Sequence, residues 1–137
     1  MYRPYLGLQQ RLRIPENRLD CSSARAVAEG ASLSVIVVVV AKPKPGRGNE
    51  VLHALGEVAS DVHDEPGCLL YAAHVDGEHV VSIERWESQA DLESHGSGPV
   101  VSRLYELLGD SLAQEPQVFT LASVPFGDPL KGTLDRR

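Results

Sequence analysis

The sequence predicts an α+β fold of order β-α-β-β-α-β built on one antiparallel sheet. Three observations predict it. Residues 33–41 are a run dominated by β-branched residues, residues 48–65 carry an apolar stripe of helical period, and two strand-like runs flank Asp76-Gly77. A second helical stripe and a last strand-like run then repeat the first half of the pattern.

Each element has its own local cause. In residues 33–41 both alternating sides are apolar, which suits a strand buried on both faces, and Lys42-Pro43-Lys44-Pro45-Gly46 ends it. The first helix places Val51, Leu52, Leu55, Val58, Ala59 and Val62 on one side and Glu50, Glu57, Asp61 and Asp64 on the other, and Pro66-Gly67 stops it. Asp76-Gly77 between residues 68–75 and 78–86 predicts a hairpin closed by a two-residue type I′ turn, whose central residues need positive φ. Ser88 with Asp91 resembles a capping box for a short helix over residues 89–95. Gly96-Ser97-Gly98-Pro99 interrupts, and Val100, Val101, Leu104, Tyr105, Leu107 and Leu108 form the second stripe, closed near Gly109. Residues 117–124 make the last strand. This is the split βαβ, or ferredoxin-like, arrangement. Two helices cover one face of such a sheet. The strands are apolar on both, so a second copy packed face to face, a homodimer, is the expected cover.

Length and charge bound the function. The chain's 137 residues make one domain, and 42% hydrophobic with 23% charged residues excludes a disordered or fibrous chain. A net charge of −6 excludes a nucleic-acid binder working through a general basic surface. No stretch approaches the roughly 18 apolar residues that span a bilayer. Two cysteines without metal spacing point to a reducing, cytoplasmic compartment. Residues 1–32 hold five arginines against three acidic groups, with Pro4, Pro15 and Gly30, and read as a flexible arm. The folded domain is expected over residues 33–125 and a tail over 126–137. A chain starting at Ser32 is expected to fold, and its failure to do so would make the arm structural.

Several side chains could carry chemistry. Trp86, the only tryptophan, is either core packing or the wall of a flat-ligand pocket. Glu84 shares its strand face and needs a partner, which Arg103 or Tyr105 could supply. His53 and His63 fall on the polar side of the first helix, and His74 and His79 pair across the hairpin without a third metal ligand. His95 either caps its helix or points a titratable ring into a pocket mouth. Cys68 is expected to be a small buried hydrophobe. Phosphate-loop, dinucleotide and HExxH motifs are absent. A two-residue turn pairs Tyr71 with Ser82, placing Tyr71, Ser82, Glu84 and Trp86 on one face and His74 on the other unless a bulge intervenes.

Glu65-Pro66-Gly67-Cys68, the tyrosine-bearing strand, Ile83-Glu84-Arg85-Trp86-Glu87-Ser88 and His95 together resemble the antibiotic biosynthesis monooxygenase domain family. The match runs over residues 34–124, and Pro125-Phe126-Gly127-Asp128-Pro129 resembles the tail of mycobacterial-type relatives. The resemblance implies a ferredoxin-like subunit in a dimeric α+β barrel. It also implies an oxygenase that uses no flavin, haem or metal, with O₂ as co-substrate. Trp86 matches the family tryptophan, and His74 matches a pocket histidine of polyketide-oxidising members. Their asparagine is Ser82 here, and two of their tyrosines are Leu92 and Ala73, which points away from a polyketide anthrone. The first strand lacks the asparagine of haem-degrading relatives. The reading that follows is a monooxygenase of a small quinol or phenol. Trp86 walls the pocket, His95 or His74 takes the proton, and Tyr71, Ser82, Glu84, Leu92 and Tyr105 surround the substrate. A dimeric small-ligand binding domain, or an isomerase of a small hydroxyketone phosphate, are the alternatives.

Overall fold

A computed structural model of the protein describes residues 34–135. The arm expected over residues 1–32 lies outside the described residues. The elements run β1 (Val35–Ala41), α1 (Gly48–His63), β2 (Cys68–Val75), β3 (Val80–Trp86), α2 (Gln89–Ser97), α3 (Pro99–Leu108) and β4 (Gln117–Leu121). The sheet has the order β2-β3-β1-β4, antiparallel throughout, which is the ferredoxin-like arrangement.

Cross-strand register sorts the side chains into two faces. Thr120, Val37, Glu84 and Tyr71 form one row beneath the helices, with Val118, Val39, Ser82 and Ala73 as the next. Val35, Trp86 and Cys68 continue that face. The opposite face holds the rows Leu121, Ile36, Arg85, Leu70; Phe119, Val38, Ile83, Ala72; and Gln117, Val40, Val81, His74. On this face Leu70, Phe119 and Leu121 stay exposed.

The helices bury a narrower stripe against the first face than the sequence suggested. In α1 the buried residues are Val51, Ala54, Val58 and Val62, a strict three-four spacing that leaves Leu52 exposed. In α3 they are Val101, Leu104 and Leu108. The Gly-Ser pair expected to break the chain is instead the end of α2. Gly98 closes α2 and opens α3, with Pro99 at the first helical position. Strand β4 stops at Leu121 rather than at residue 124, because Leu121 already pairs with Ile36 near the start of β1.

The hairpin corrects a turn. Val75 pairs with Val80, so four residues close it, not two. Asp76 bonds the loop, its Oδ1 accepting from the backbone N–H of Glu78 (2.9 Å) and of His79 (2.6 Å). Among the described residues only glycines have positive φ, so Asp76 does not take the type I′ conformation. Tyr71 therefore pairs with Glu84 rather than Ser82, and His74 with Val81 rather than His79. The shift is even, so each residue keeps its expected face.

Gly67 seats α2 against the sheet. Its φ of +78° suits glycine, and an added Cβ would lie 2.3 Å from Asp91 Cγ. Its carbonyl accepts from Glu87 N–H (2.8 Å), and Ser88 caps α2 as expected, accepting from Asp91 N–H at 3.1 Å. At the far end of the chain, Asp135 accepts from Ser34 Oγ (3.0 Å) and the Leu134 carbonyl accepts from Arg85, which returns the tail to the edge of the open face. Among the described residues no helix is long and apolar enough to cross a membrane.

Candidate active site

Glu84 stands at the centre of the sheet beneath the helices and is fully buried. Both carboxylate oxygens are held: Ser82 Oγ donates to Oε1 and Trp86 Nε1 to Oε2, each at 3.1 Å. Alternation along β3 makes this possible, since residues 82, 84 and 86 share a face. The Trp86 indole stacks on the His95 ring, with centroids 4.5 Å apart. His95 Nε2 lies 4.0 Å from Glu84 Oε2, and Nδ1 lies 2.9 Å from Glu65 Oε2. An ionised Glu65 makes Nδ1 the protonated nitrogen. Glu65 is partly exposed, so carboxylate, imidazole and carboxylate form a file from the interior to the surface.

A small pocket of about 40 Å³, open to solvent, reaches Glu84 from the helix side. Tyr71, Ser82, Glu84 and Tyr105 supply its polar end. Val39 and Val80 of the sheet, Val51 and Leu55 of α1, and Leu104 and Leu108 of α3 form aliphatic walls. Leu112 and Pro116, from the loop before β4, complete it. That loop is tied down by backbone bonds from Ala113 N–H to the Lys42 carbonyl and from Lys44 N–H to the Ser111 carbonyl, both 2.8 Å.

Burial, and then the nearby Glu84 charge, raise the Tyr71 and Tyr105 phenols well above the usual 10.0. Both stay protonated donors across the physiological range. Burial also raises the Cys68 thiol, so it is no reactive thiolate. A phenol held protonated in the folded state releases its proton more readily on unfolding, so the unfolded chain binds fewer protons above pH ~10 and stability falls as pH rises from there. Removing both groups, as Tyr71→Phe with Tyr105→Phe, is expected to leave the phenolate absorbance of the folded protein unchanged below about pH 11. A loss of absorbance amplitude in that range would show that these two rings titrate normally.

A family model described as antibiotic biosynthesis monooxygenase matches residues 34–116. The chain belongs to this family. Solved structures agree in fold. A crystal structure of an antibiotic biosynthesis monooxygenase is 30% identical, with a TM-score of 0.61 over 66% of this chain and 99% of that one. A Mycobacterium tuberculosis protein is 22% identical (TM-score 0.62; 70% and 98% covered), and a conserved Methanosarcina mazei protein 20% identical (TM-score 0.62; 66% and 92%). No curated protein matches the sequence.

The monooxygenase-family site differs from the sequence expectation in three places. Trp86 and Leu92 are fully buried and His95 nearly so; none of them lines the pocket. Trp86 is thus core packing that reaches the site through its N–H, rather than a pocket wall. His74 lies on the open face beside Val81, where the register reading placed it and away from the pocket role that the family resemblance implied, because the β2 irregularity falls at Cys68/Leu70, before Tyr71, and does not turn His74 inward. Arg103 does not reach Glu84; it pairs on the surface with Asp61 (3.1 Å) and Glu57 (3.7 Å). The residue the sequence reading did not single out as functional is Glu65. Its signal was the acidic position directly before the helix-stopping Pro66-Gly67, which brings a carboxylate to the start of β2. Among the described residues no group of three or more His, Cys, Asp and Glu side chains could hold a metal ion.

Proposed function

We propose that this family member oxidises a phenol or quinol with O₂, drawing the electrons from the substrate anion and using no flavin, haem or metal. The observation that carries the reading is Glu84, a buried carboxylate with both oxygens oriented, at the end of an otherwise apolar pocket. A base there takes the substrate hydroxyl proton in a site with little water, where Tyr71 and Tyr105 can donate to the developing oxyanion. The anion gives one electron to O₂, forming superoxide, and the radical pair joins at a ring carbon as a peroxide anion. That anion recovers the proton. Loss of the ring-carbon hydrogen with the distal OH releases water and leaves a carbonyl, so one oxygen atom enters the substrate and the other leaves as water. His95 and Glu65 support Glu84 by connecting it to solvent for proton exchange between turnovers.

We also propose that the open face pairs with the same face of a second copy. Leu70, Phe119 and Leu121 lie exposed on it, and burying them would contribute through apolar area. Sedimentation equilibrium should give twice the chain mass, and a monomer for Phe119→Glu; a monomeric wild type would reject the pairing.

Oxygen uptake tests the activity. Metal-stripped full-length protein is mixed with phenols, hydroquinones and naphthols against a no-enzyme autoxidation control. Uptake above control with at least one class is the expected result. Saturable binding without uptake from any of them would instead favour a ligand-binding domain.

A further inference from the structure

We infer that the pocket takes a neutral, single-ring phenol bearing an alkyl chain, in preference to a polyhydroxylated or anionic aromatic. The inference rests on the reading of the pocket as the substrate site, and it names the substrate class from the lining. The polar groups gather around Glu84: Tyr71 pairs with it across the strands, Ser82 donates to it at 3.1 Å, and Tyr105 lines the same pocket within reach of its charge. One hydroxyl is well served there. A second, placed along the Val51, Leu55, Leu104 and Leu108 walls, would lose its water and meet no partner.

Charge narrows the class further. Among the described residues that line the pocket none is a Lys, Arg or His, and the one ionisable acid is Glu84. Of the basic side chains, Lys42 pairs with Glu78 (2.8 Å), Arg47 with Glu50 and Asp110 (2.6 Å each), and His95 lies outside the lining with its Nδ1 2.9 Å from Glu65. A carboxylate or phosphate on the substrate would be buried without a counter-ion and beside an acid. This weighs against a hydroxyketone phosphate. Shape decides the rest. Trp86 and His95 stack on each other outside the lining, which leaves the Tyr71 and Tyr105 rings as the aromatic surfaces of a pocket of about 40 Å³, too small to enclose a fused ring system. The walls are valine and leucine, which match a slender alkyl chain.

The test is calorimetric binding to the full-length protein in oxygen-free buffer, so that no turnover occurs. The probes are 4-methyl- to 4-butylphenol, hydroquinone, and 4-hydroxyphenylpropionate. Affinity is expected to rise about three- to fourfold per added methylene. Hydroquinone and the carboxylate are expected to bind about tenfold or more weaker than 4-butylphenol. Leu112→Arg, a cation added at the half-buried loop position, should raise carboxylate affinity about tenfold and lower that of 4-butylphenol. Affinity that does not change with chain length, a carboxylate that binds as well as the alkylphenol, or a Leu112→Arg protein with unaltered preference would each overturn the assignment. The two readings fail separately. Selective alkylphenol binding without oxygen uptake would sink the oxygenase alone, whereas uptake with hydroquinones and no alkyl preference would sink this inference alone.

Discussion

Glu84→Gln is expected to lower oxygen uptake by about 10²–10⁴-fold, the usual worth of a positioned general base, while the protein stays folded. The amide matches the carboxylate in shape but cannot accept the substrate proton. Its fit to the surroundings is favourable. Trp86 Nε1 can only donate and so requires the oxygen of the amide, while Ser82, which donates to the other carboxylate oxygen, can turn its hydroxyl and accept from the NH₂ instead. Circular dichroism melting should therefore change little while the initial rate collapses. A Glu84→Gln protein with full activity would remove Glu84 as the base.

Trp86→Ala is expected to cost about 3–5 kcal/mol of folding stability, the range for emptying a fully buried large aromatic site. The indole is wholly enclosed and stacked on His95, so its loss leaves a hole between β3 and α2 and frees the imidazole that faces Glu84. Trp86→Phe separates the two roles. A phenyl ring retains most of the packing but has no N–H, which deprives Glu84 Oε2 of a bond made at 3.1 Å in a buried place. Urea unfolding followed by circular dichroism should show a smaller loss for Phe than for Ala. Oxygen uptake should fall for both. Equal stability of the Ala variant and the wild type would mean that this region is not packed as described.

Most of the fold was legible because local chemistry and period agree in it. The valine run of β1, the Pro66-Gly67 stop and the Ser88 cap each have one physical reading, and the structure keeps them. Half of the site was legible for the same reason: parity along a strand puts Tyr71, Ser82 and Glu84 on one face with either a two-residue or a four-residue turn. What the sequence could not supply was depth. Trp86, Leu92 and Glu84 sit on one side of the sheet, but only the approach of α1 and α3 decides that Glu84 meets the pocket and Trp86 does not. The His95–Glu65 bond joins residues thirty positions apart through the seating of α2, and no local period encodes it. The turn failed for a smaller reason. Asp76 gains two backbone bonds from Glu78 and His79 by staying at negative φ, and that outweighs the pull of Asp-Gly towards a tighter loop.

That turn also sets what the chain can tolerate by way of insertion and deletion. The loop at residues 76–79 lies at the opposite end of β3 from Trp86, and a strand repeats its faces every second residue. Lengthening or shortening the hairpin by two residues slides β2 along β3 and returns a pocket-side residue to each pocket-side place. A change of one residue exchanges the faces instead, setting Tyr71 among the outward side chains and bringing a neighbour such as Ala72 under the helices. The division of faces is in this sense indifferent to hairpin length but bound to its parity, so a paired change in this loop should keep the fold while moving Tyr71 off Glu84.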